Sequence, residues 1–183
     1  MLIYHDILTG DELFSDAYPM RTIDDFFYEV TAQQVTRSDK IDERMIGGNA
    51  SAEGGGDEAA DDTIVQSGLN LVINGGHMEN NFTKSDYKKE LRDYCKKVLA
   101  KLQEKDPKQA EVFKSKAQDQ MKKILEMWKV PGEDADNWQF FVSERYSAGG
   151  DGMVMLLQYI NEEGKPERPV FWFWKDGLYT QKQ

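Results

Sequence analysis

Apolar and polar positions follow two different periods along this chain. Residues 2–4 and 26–35 are rich in apolar and β-branched side chains and predict strands, with Pro19 and an Asp/Ser cluster between them as turn material. Residues 63–78 continue the strand pattern, with Leu69, Leu71 and Ile73 sharing one parity. From 83 to 106 the period changes: Tyr87, Leu91, Tyr94, Val98 and Leu102 recur every three or four positions, one stripe of a helix, and Thr83-Lys84-Ser85-Asp86 supplies its start. Pro107 suits the first turn of a second helix, which carries Val112, Phe113, Ala117, Met121, Ile124, Leu125 and Trp128 until Pro131-Gly132 stops it. The short connection predicts an antiparallel pair. Residues 138–146, 153–160 and 170–174 then predict strands joined by turns at 149–152 and 161–166, the pattern of a meander. Strands, a helical pair and strands again predict an α+β fold, mainly antiparallel, with a helical hairpin (83–129) inserted into one domain spanning 1–183.

Between the first strands and the hairpin the composition changes. Glycines at 47, 48 and 54–56 alternate with Ala, Ser and the acids Glu53, Asp57, Glu58, Asp61 and Asp62, leaving almost nothing to bury; residues 39–66 predict a mobile acidic loop. Gathered carboxylates attract hard cations, so Glu53, Asp57, Glu58, Asp61 and Asp62 are candidate ligands for weak Ca2+ binding. Neither this stretch nor Glu133-Asp134-Ala135-Asp136-Asn137, which runs into Trp138, has the spacing of a helix–loop–helix calcium site.

Charge sharpens the division. The 183 residues carry 23 Lys+Arg and 33 Asp+Glu, a formal net charge of -10, which argues against a chain that binds nucleic acid as a whole. Residues 84–129 nevertheless hold 14 Lys+Arg against 8 Asp+Glu, a net of +6 that leaves -16 for the remainder. Such lysines commonly just solvate the outer faces of amphipathic helices. The other reading is a basic prong that docks on an acidic polymer, with Lys96, Lys97 and Lys101 as candidates and a tubulin surface as one such polymer. No aromatic residues interleave with the lysines to stack bases, which disfavours nucleic acid.

Catalytic chemistry finds little support. One cysteine, Cys95, excludes an internal disulfide and any zinc site needing two thiolates. The two histidines, His5 and His77, lie in no recognisable nucleophile motif, and the glycine clusters lack both phosphate-cradling orders. No apolar run is long enough to span a bilayer, and Met1-Leu2-Ile3-Tyr4-His5-Asp6 meets a charge before a secretory signal can form, so the expected location is the cytosol, with no membrane partner. Two glutamates stand apart. Thr9-Gly10-Asp11-Glu12 has the form of a capping box that starts a short turn. Glu144 shares parity with Trp138, Phe140 and Val142; on a regular strand it follows an inward-facing row and needs a cross-sheet arginine, a backbone amide or an external cation, and an edge or capping role stands ahead of a functional one for it.

Ile46-Gly47-Gly48-Asn49-Ala50-Ser51-Ala52-Glu53-Gly54 resembles the first signature of the translationally controlled tumour protein family. Met1-Leu2-Ile3-Tyr4 with Asp11-Glu12-Leu13-Phe14-Ser15-Asp16, Phe82-Thr83-Lys84 with Tyr87-Lys88-Lys89, and Phe173-Trp174-Lys175-Asp176-Gly177-Leu178 resemble its opening, first long helix and last strand. Phe140-Phe141-Val142-Ser143-Glu144 is similar to the second signature with Ser143 in place of a glycine, and Asp151-Gly152-Met153-Val154 restores the pattern. Residues 131–137 form a longer link than is usual in the family, and the chain ends Lys182-Gln183 where many members end in cysteine. The resemblance implies a β-tent core like that of Rab chaperones and methionine sulfoxide reductases, without the paired thiols of either. It implies a non-enzymatic interaction protein linked to growth and stress, with calcium, microtubules, a Ras-like small GTPase and apoptosis-regulating proteins as partners. A second implied role is an unconventionally secreted, histamine-releasing cytokine. Glu12 and Glu144 match acids of the family's GTPase-facing surface, and the helical region matches its microtubule-associated part.

Overall fold

The computed structural model describes residues 1–39, 64–127 and 138–183. Eleven strands and four helices follow one another in the described chain: β1 (Leu2–Asp6), β2 (Glu12–Ser15), β3 (Met20–Ile23), β4 (Phe27–Thr31), β5 (Gln34–Asp39), β6 (Ile64–Leu69), α1 (Asn70–Gly75), β7 (Met78–Asn80), α2 (Lys84–Lys105), α3 (Pro107–Met127), β8 (Trp138–Val142), α4 (Glu144–Ser147), β9 (Met155–Ile160), β10 (Arg168–Trp174) and β11 (Leu178–Lys182). They form a six-stranded sheet in the order β3-β4-β10-β9-β8-β7, a three-stranded sheet β11-β1-β2 and the ribbon β5-β6. Every pairing is antiparallel. The α+β fold and the β8-β9-β10 meander expected from the pattern are therefore present.

Side-chain alternation along β10 explains how both faces of the large sheet are used. Phe171 and Phe173 lie opposite Val30 and Tyr28, whereas Trp172 and Trp174 lie opposite Glu29 and Phe27. On the first face Phe173 meets Phe14 of β2 at 4.3 Å between ring centroids, and Tyr28 meets Tyr4 of β1 edge-on at 5.3 Å. That layer seals the three-stranded sheet onto the six-stranded one. On the second face Trp174, with Tyr87, Leu91 and Tyr94 of α2, lines one small void. Tyr87, Leu91, Val98 and Leu102 are all buried, so the stripe read from the sequence is the docking face of α2.

The hairpin begins as its residues dictate. Thr83 Oγ1 accepts the Asp86 amide at 3.1 Å, and the Asp86 carboxylate accepts the Thr83 amide at 3.2 Å, a reciprocal capping box. Asp106 alone separates the two helices, and its carboxylate caps α3 by accepting the amides of Lys108 and Gln109.

Four expectations are corrected. Residues 26–35 do not form one strand. The chain leaves the sheet after Thr31, where the Ala32 amide donates to the Pro169 carbonyl and the Gln33 amide to the Asn70 side chain, then re-pairs as β5. Residues 63–78 are not one strand either, because the same Asn70 side chain accepts the Leu71 amide and opens α1. β5 and β6 pair from Gln34↔Leu69 to Asp39↔Ile64, so the ladder takes in positions that composition assigned to the acidic loop. Finally, β8 ends at Val142 instead of running to 146, since Ser143 turns the chain into α4.

Candidate functional site

Glu12 and Glu144 reach the surface from segments that the fold draws together. The first is the turn between β1 and β2. Asp6, 1% exposed, organises it: Oδ1 accepts the Leu8 amide at 2.8 Å and Oδ2 accepts the Met153 amide at 2.6 Å, while the Asp6 carbonyl accepts the Gly10 amide. Burial raises the Asp6 carboxyl above its ordinary value, and its amide donors pull it back. Thr9 Oγ1 accepts the Asp11 amide at 3.1 Å. The capping box expected at Thr9–Glu12 is therefore not formed, because an Asx turn on Asp6 takes its place. Glu12 is instead the exposed first residue of β2, opposite His5.

The second segment is α4. The Ser143 hydroxyl accepts the Tyr146 amide at 3.4 Å, so the serine at this signature position is an N-cap. Glu144 becomes the first helical residue and is exposed, which overturns its expected place in the inward row of a strand. Its carboxylate needs no buried partner. A Cβ on Gly150 would lie 2.6 Å from the Arg145 carbonyl oxygen, so the return from α4 is built on a close backbone approach that excludes a side chain.

Arg145 joins the two segments. Its Nη1 donates to the Thr9 carbonyl at 2.8 Å, and its Nε lies 3.1 Å from Asp11 Oδ1. The face around Glu12 and Glu144 therefore includes a guanidinium and is of mixed charge. From α4 two contacts continue to the hairpin: the Tyr146 hydroxyl donates to Glu90 at 2.8 Å, and Lys97 pairs with Asp151. Asp6 and Arg145 carry this geometry, and the sequence reading gave neither a role; the Asp-x-x-Thr-Gly spacing of an Asx turn was the available signal for Asp6.

The hairpin candidates have unequal settings. Lys96 is exposed and pairs with Asp93 one turn back at 3.3 Å, Lys97 is committed to Asp151, and Lys101 is half-buried with no ion-pair partner among the described residues. Lys88, Arg92 and Lys96 form an exposed row at four-residue spacing. Beside that row a groove of about 270 Å³ runs between the helices, floored by Leu91, Met121 and Leu125. α3 is itself tied to the acidic body, since Lys116 and Lys123 pair with Asp25 and Asp24 of the β3–β4 turn.

Glu53, Asp57, Glu58, Asp61 and Asp62, together with the 131–137 link, lie outside the described residues. Among the described residues no three or more His, Cys, Asp or Glu gather in an arrangement able to hold a metal. Cys95 is buried, and burial pushes its thiol up to about 12, far from the thiolate a redox or hydrolytic nucleophile needs. No described helix is long and apolar enough to cross a membrane.

Comparison with known proteins agrees along the whole chain. A profile described as "Translationally controlled tumour protein" matches residues 1–179. The translationally-controlled tumor protein homolog of Branchiostoma belcheri is 43% identical over 182 residues, covering 100% of this chain and 99% of that protein. The translationally-controlled tumor protein of Homo sapiens is 41% identical over 184 aligned positions, with the same coverage. Among solved structures, the translationally controlled tumor-associated protein p23fyp of Schizosaccharomyces pombe superposes with a TM-score of 0.70 at 34% identity, covering 100% of both chains. The translationally-controlled tumor protein of Caenorhabditis elegans gives 0.64 at 30% identity, covering 100% of this chain and 99% of its own.

Proposed function

Because the chain belongs to the translationally controlled tumour protein family, we propose that it acts as a non-enzymatic interaction protein whose Glu12–Glu144 face engages a basic segment of a Ras-like small GTPase. The observation that carries this reading is the Arg145 bridge, which ties the turn before Glu12 to the helix that begins with Glu144 and leaves both glutamates exposed. Two carboxylates held on a braced surface meet a partner's arginine or lysine without first ordering a loop. The buried Cys95, whose thiol burial pushes up, supports a role without thiol chemistry. Calcium association rests on family membership and on the gathered carboxylates of residues 53–62, which lie outside the described residues; apoptosis-regulating partners rest on family membership alone. Binding of Glu12→Lys/Glu144→Lys to a loaded and an unloaded small GTPase tests the surface. A loss of at least about tenfold in affinity is expected from reversing two charges at a contact, and unchanged binding removes the reading.

A second surface is favoured by the row Lys88, Arg92 and Lys96 on α2. With Lys97 and Lys101 it gives the hairpin a cationic side suited to acidic tubulin surfaces. Cosedimentation with microtubules should weaken as ionic strength rises and should fall when Lys96, Lys97 and Lys101 are changed to Gln. Cosedimentation that survives the triple change rules this surface out.

A further inference from the structure

The groove between α2 and α3 differs in makeup from the rest of the hairpin surface. Lys88, Leu91 and Arg92 stand at i, i+3 and i+4 on α2. Gln118, Met121, Lys122 and Leu125 stand at i, i+3, i+4 and i+7 on α3, so each helix turns one continuous face into the groove. The two faces make a layered site. Leu91 is buried at the floor and Met121 and Leu125 are half-buried beside it, while Lys88, Arg92, Gln118 and Lys122 are exposed along the rim. No Asp or Glu is among the residues that line this space of about 270 Å³.

The rim cations also stand apart from the other lysines of the hairpin. Lys97, Lys116 and Lys123 are spent on Asp151, Asp25 and Asp24 of the body, and Lys96 on Asp93 of its own helix. Lys88, Arg92 and Lys122 have no ion-pair partner among the described residues and occupy both walls, two on α2 and one on α3. Positive charge from both walls over an apolar floor selects a ligand that is apolar along one stripe and acidic on both flanks.

Backbone chemistry selects the form of that ligand. The walls are helical, so their amides and carbonyls are consumed within α2 and α3. An extended segment laid between them would bury its own N–H and C=O groups with only the rim side chains to meet them. A helix arrives with its backbone already paired and presents its apolar stripe at the spacing of the walls. Met121, unbranched and polarizable, lets the floor repack around anchors of differing shape.

We propose that the α2–α3 groove is a docking site for an acidic amphipathic helix of a partner protein. Apolar side chains at i, i+3 or i+4, and i+7 of that helix pack on Leu91, Met121 and Leu125. Its flanking carboxylates pair with Lys88 and Arg92 on one side and with Lys122 on the other. The inference goes beyond both surfaces proposed above: the Glu12–Glu144 face takes no part, and contact with tubulin through Lys96, Lys97 and Lys101 calls on charge alone.

The probe is a synthetic helical peptide with leucine at i, i+3 or i+4, and i+7 and glutamate on both flanks, added to the full chain and read by methyl NMR. The Leu91, Met121 and Leu125 methyls should shift saturably with this peptide, and should not shift with a scrambled peptide of the same composition or with polyglutamate at neutral pH. Arg92→Glu/Lys122→Glu alters two exposed positions, where folding is not at stake, and should weaken the peptide at least about tenfold. Absence of a saturable shift, or equal binding of the scrambled peptide or polyglutamate, overturns the proposal. So do floor methyls that move with protein concentration alone, the mark of a second copy in the groove, and methyls that answer phosphatidylserine vesicles but not the peptide. Failure here leaves the microtubule reading standing, because that reading is decided by changing Lys96, Lys97 and Lys101, none of which lines the groove.

Discussion

The sheet body and the helical hairpin handle charge in opposite ways. In the body, Asp6 and Glu29 are 1% and 2% exposed, and each is solvated by the fold itself. Asp6 takes backbone amides; Glu29 takes a bidentate Arg21 at 2.8 Å on both oxygens and Arg168 at 3.2 Å. The hairpin's ion pairs with the body, Lys97–Asp151, Lys116–Asp25 and Lys123–Asp24, all join well-exposed partners. A buried carboxylate deprived of its donors has nowhere to find water, whereas a surface pair that breaks is rehydrated at once. Polar contacts thus fix the geometry of the body, and the apolar stripe of α2 fixes the position of the hairpin. The two proposed faces inherit the difference: Glu12 and Glu144 stand on a braced surface, while the lysine row stands on helices whose surface pairs can exchange.

The comparison breaks first at Glu29. Replacing both Arg21 and Arg168 by Ala strands a carboxylate in the sheet and should cost about 4 kcal/mol, read from urea denaturation. Glu29→Gln should cost less than the double change, because the arginine side chains, 62% and 33% exposed, can re-enter water. Equal losses from the two variants would mean that the carboxylate is not the group whose solvation matters.

A smaller effect sharpens the hairpin side. Thr83→Ala removes the hydroxyl that caps the Asp86 amide, so about 1 kcal/mol of stability should be lost, a shift of roughly 2–4 °C in Tm. Faster amide exchange should be confined to the first turn of α2, since the cap acts on no other element. Exchange that spreads into β8 or β10 would show the hairpin coupled to the body more firmly than surface pairs allow.

What could be read from residue order alone divides along the same line. The starts of both hairpin helices were legible almost to the residue, because a 3.6-residue stripe, a Thr-x-x-Asp start and Pro107 are local signals that tertiary contacts here reinforce, while the expected stop at Pro131-Gly132 lies outside the described residues. The meander was legible for the same reason. The breaks at Thr31 and Asn70 were not, since each depends on a partner distant in sequence, the Pro169 carbonyl for Ala32 and the Gln33 amide for Asn70; the break at Val142 rests on a local signal, the Ser143 cap on the Tyr146 amide, masked by the strand-like parity of 138–144. The candidate face shows the same limit. Glu12 and Glu144 could be named from motifs, but not the bridge between their segments, because the Arg145–Thr9 bond spans 136 positions and leaves no periodic trace.

The smallest expected effect probes the β3–β4 turn, where the two regions meet. Asp24 and Asp25 hold φ of 52° and 56°, a left-handed pair that β-hairpin turns of this kind usually give to Asn and Gly. Asp25 is shared by Lys175, next to the turn, and Lys116 of α3, while Asp24 takes Lys123 two helical turns further on. The strained residues thus aim both carboxylates along α3, so the pairs set where the helix lies around its apolar contact more than how strongly it binds. Lys116→Gln/Lys123→Gln should then lower Tm by no more than about 2 °C, an effect that vanishes in high salt. The change should appear instead as a redistribution of amide shifts along α3 and around Gln120, whose buried side-chain oxygen and nitrogen have no hydrogen-bond partners among the described residues and so little to hold them in register. A Tm loss several times larger, or α3 shifts indistinguishable from wild type, would show that these lysines carry the hairpin and do not merely orient it.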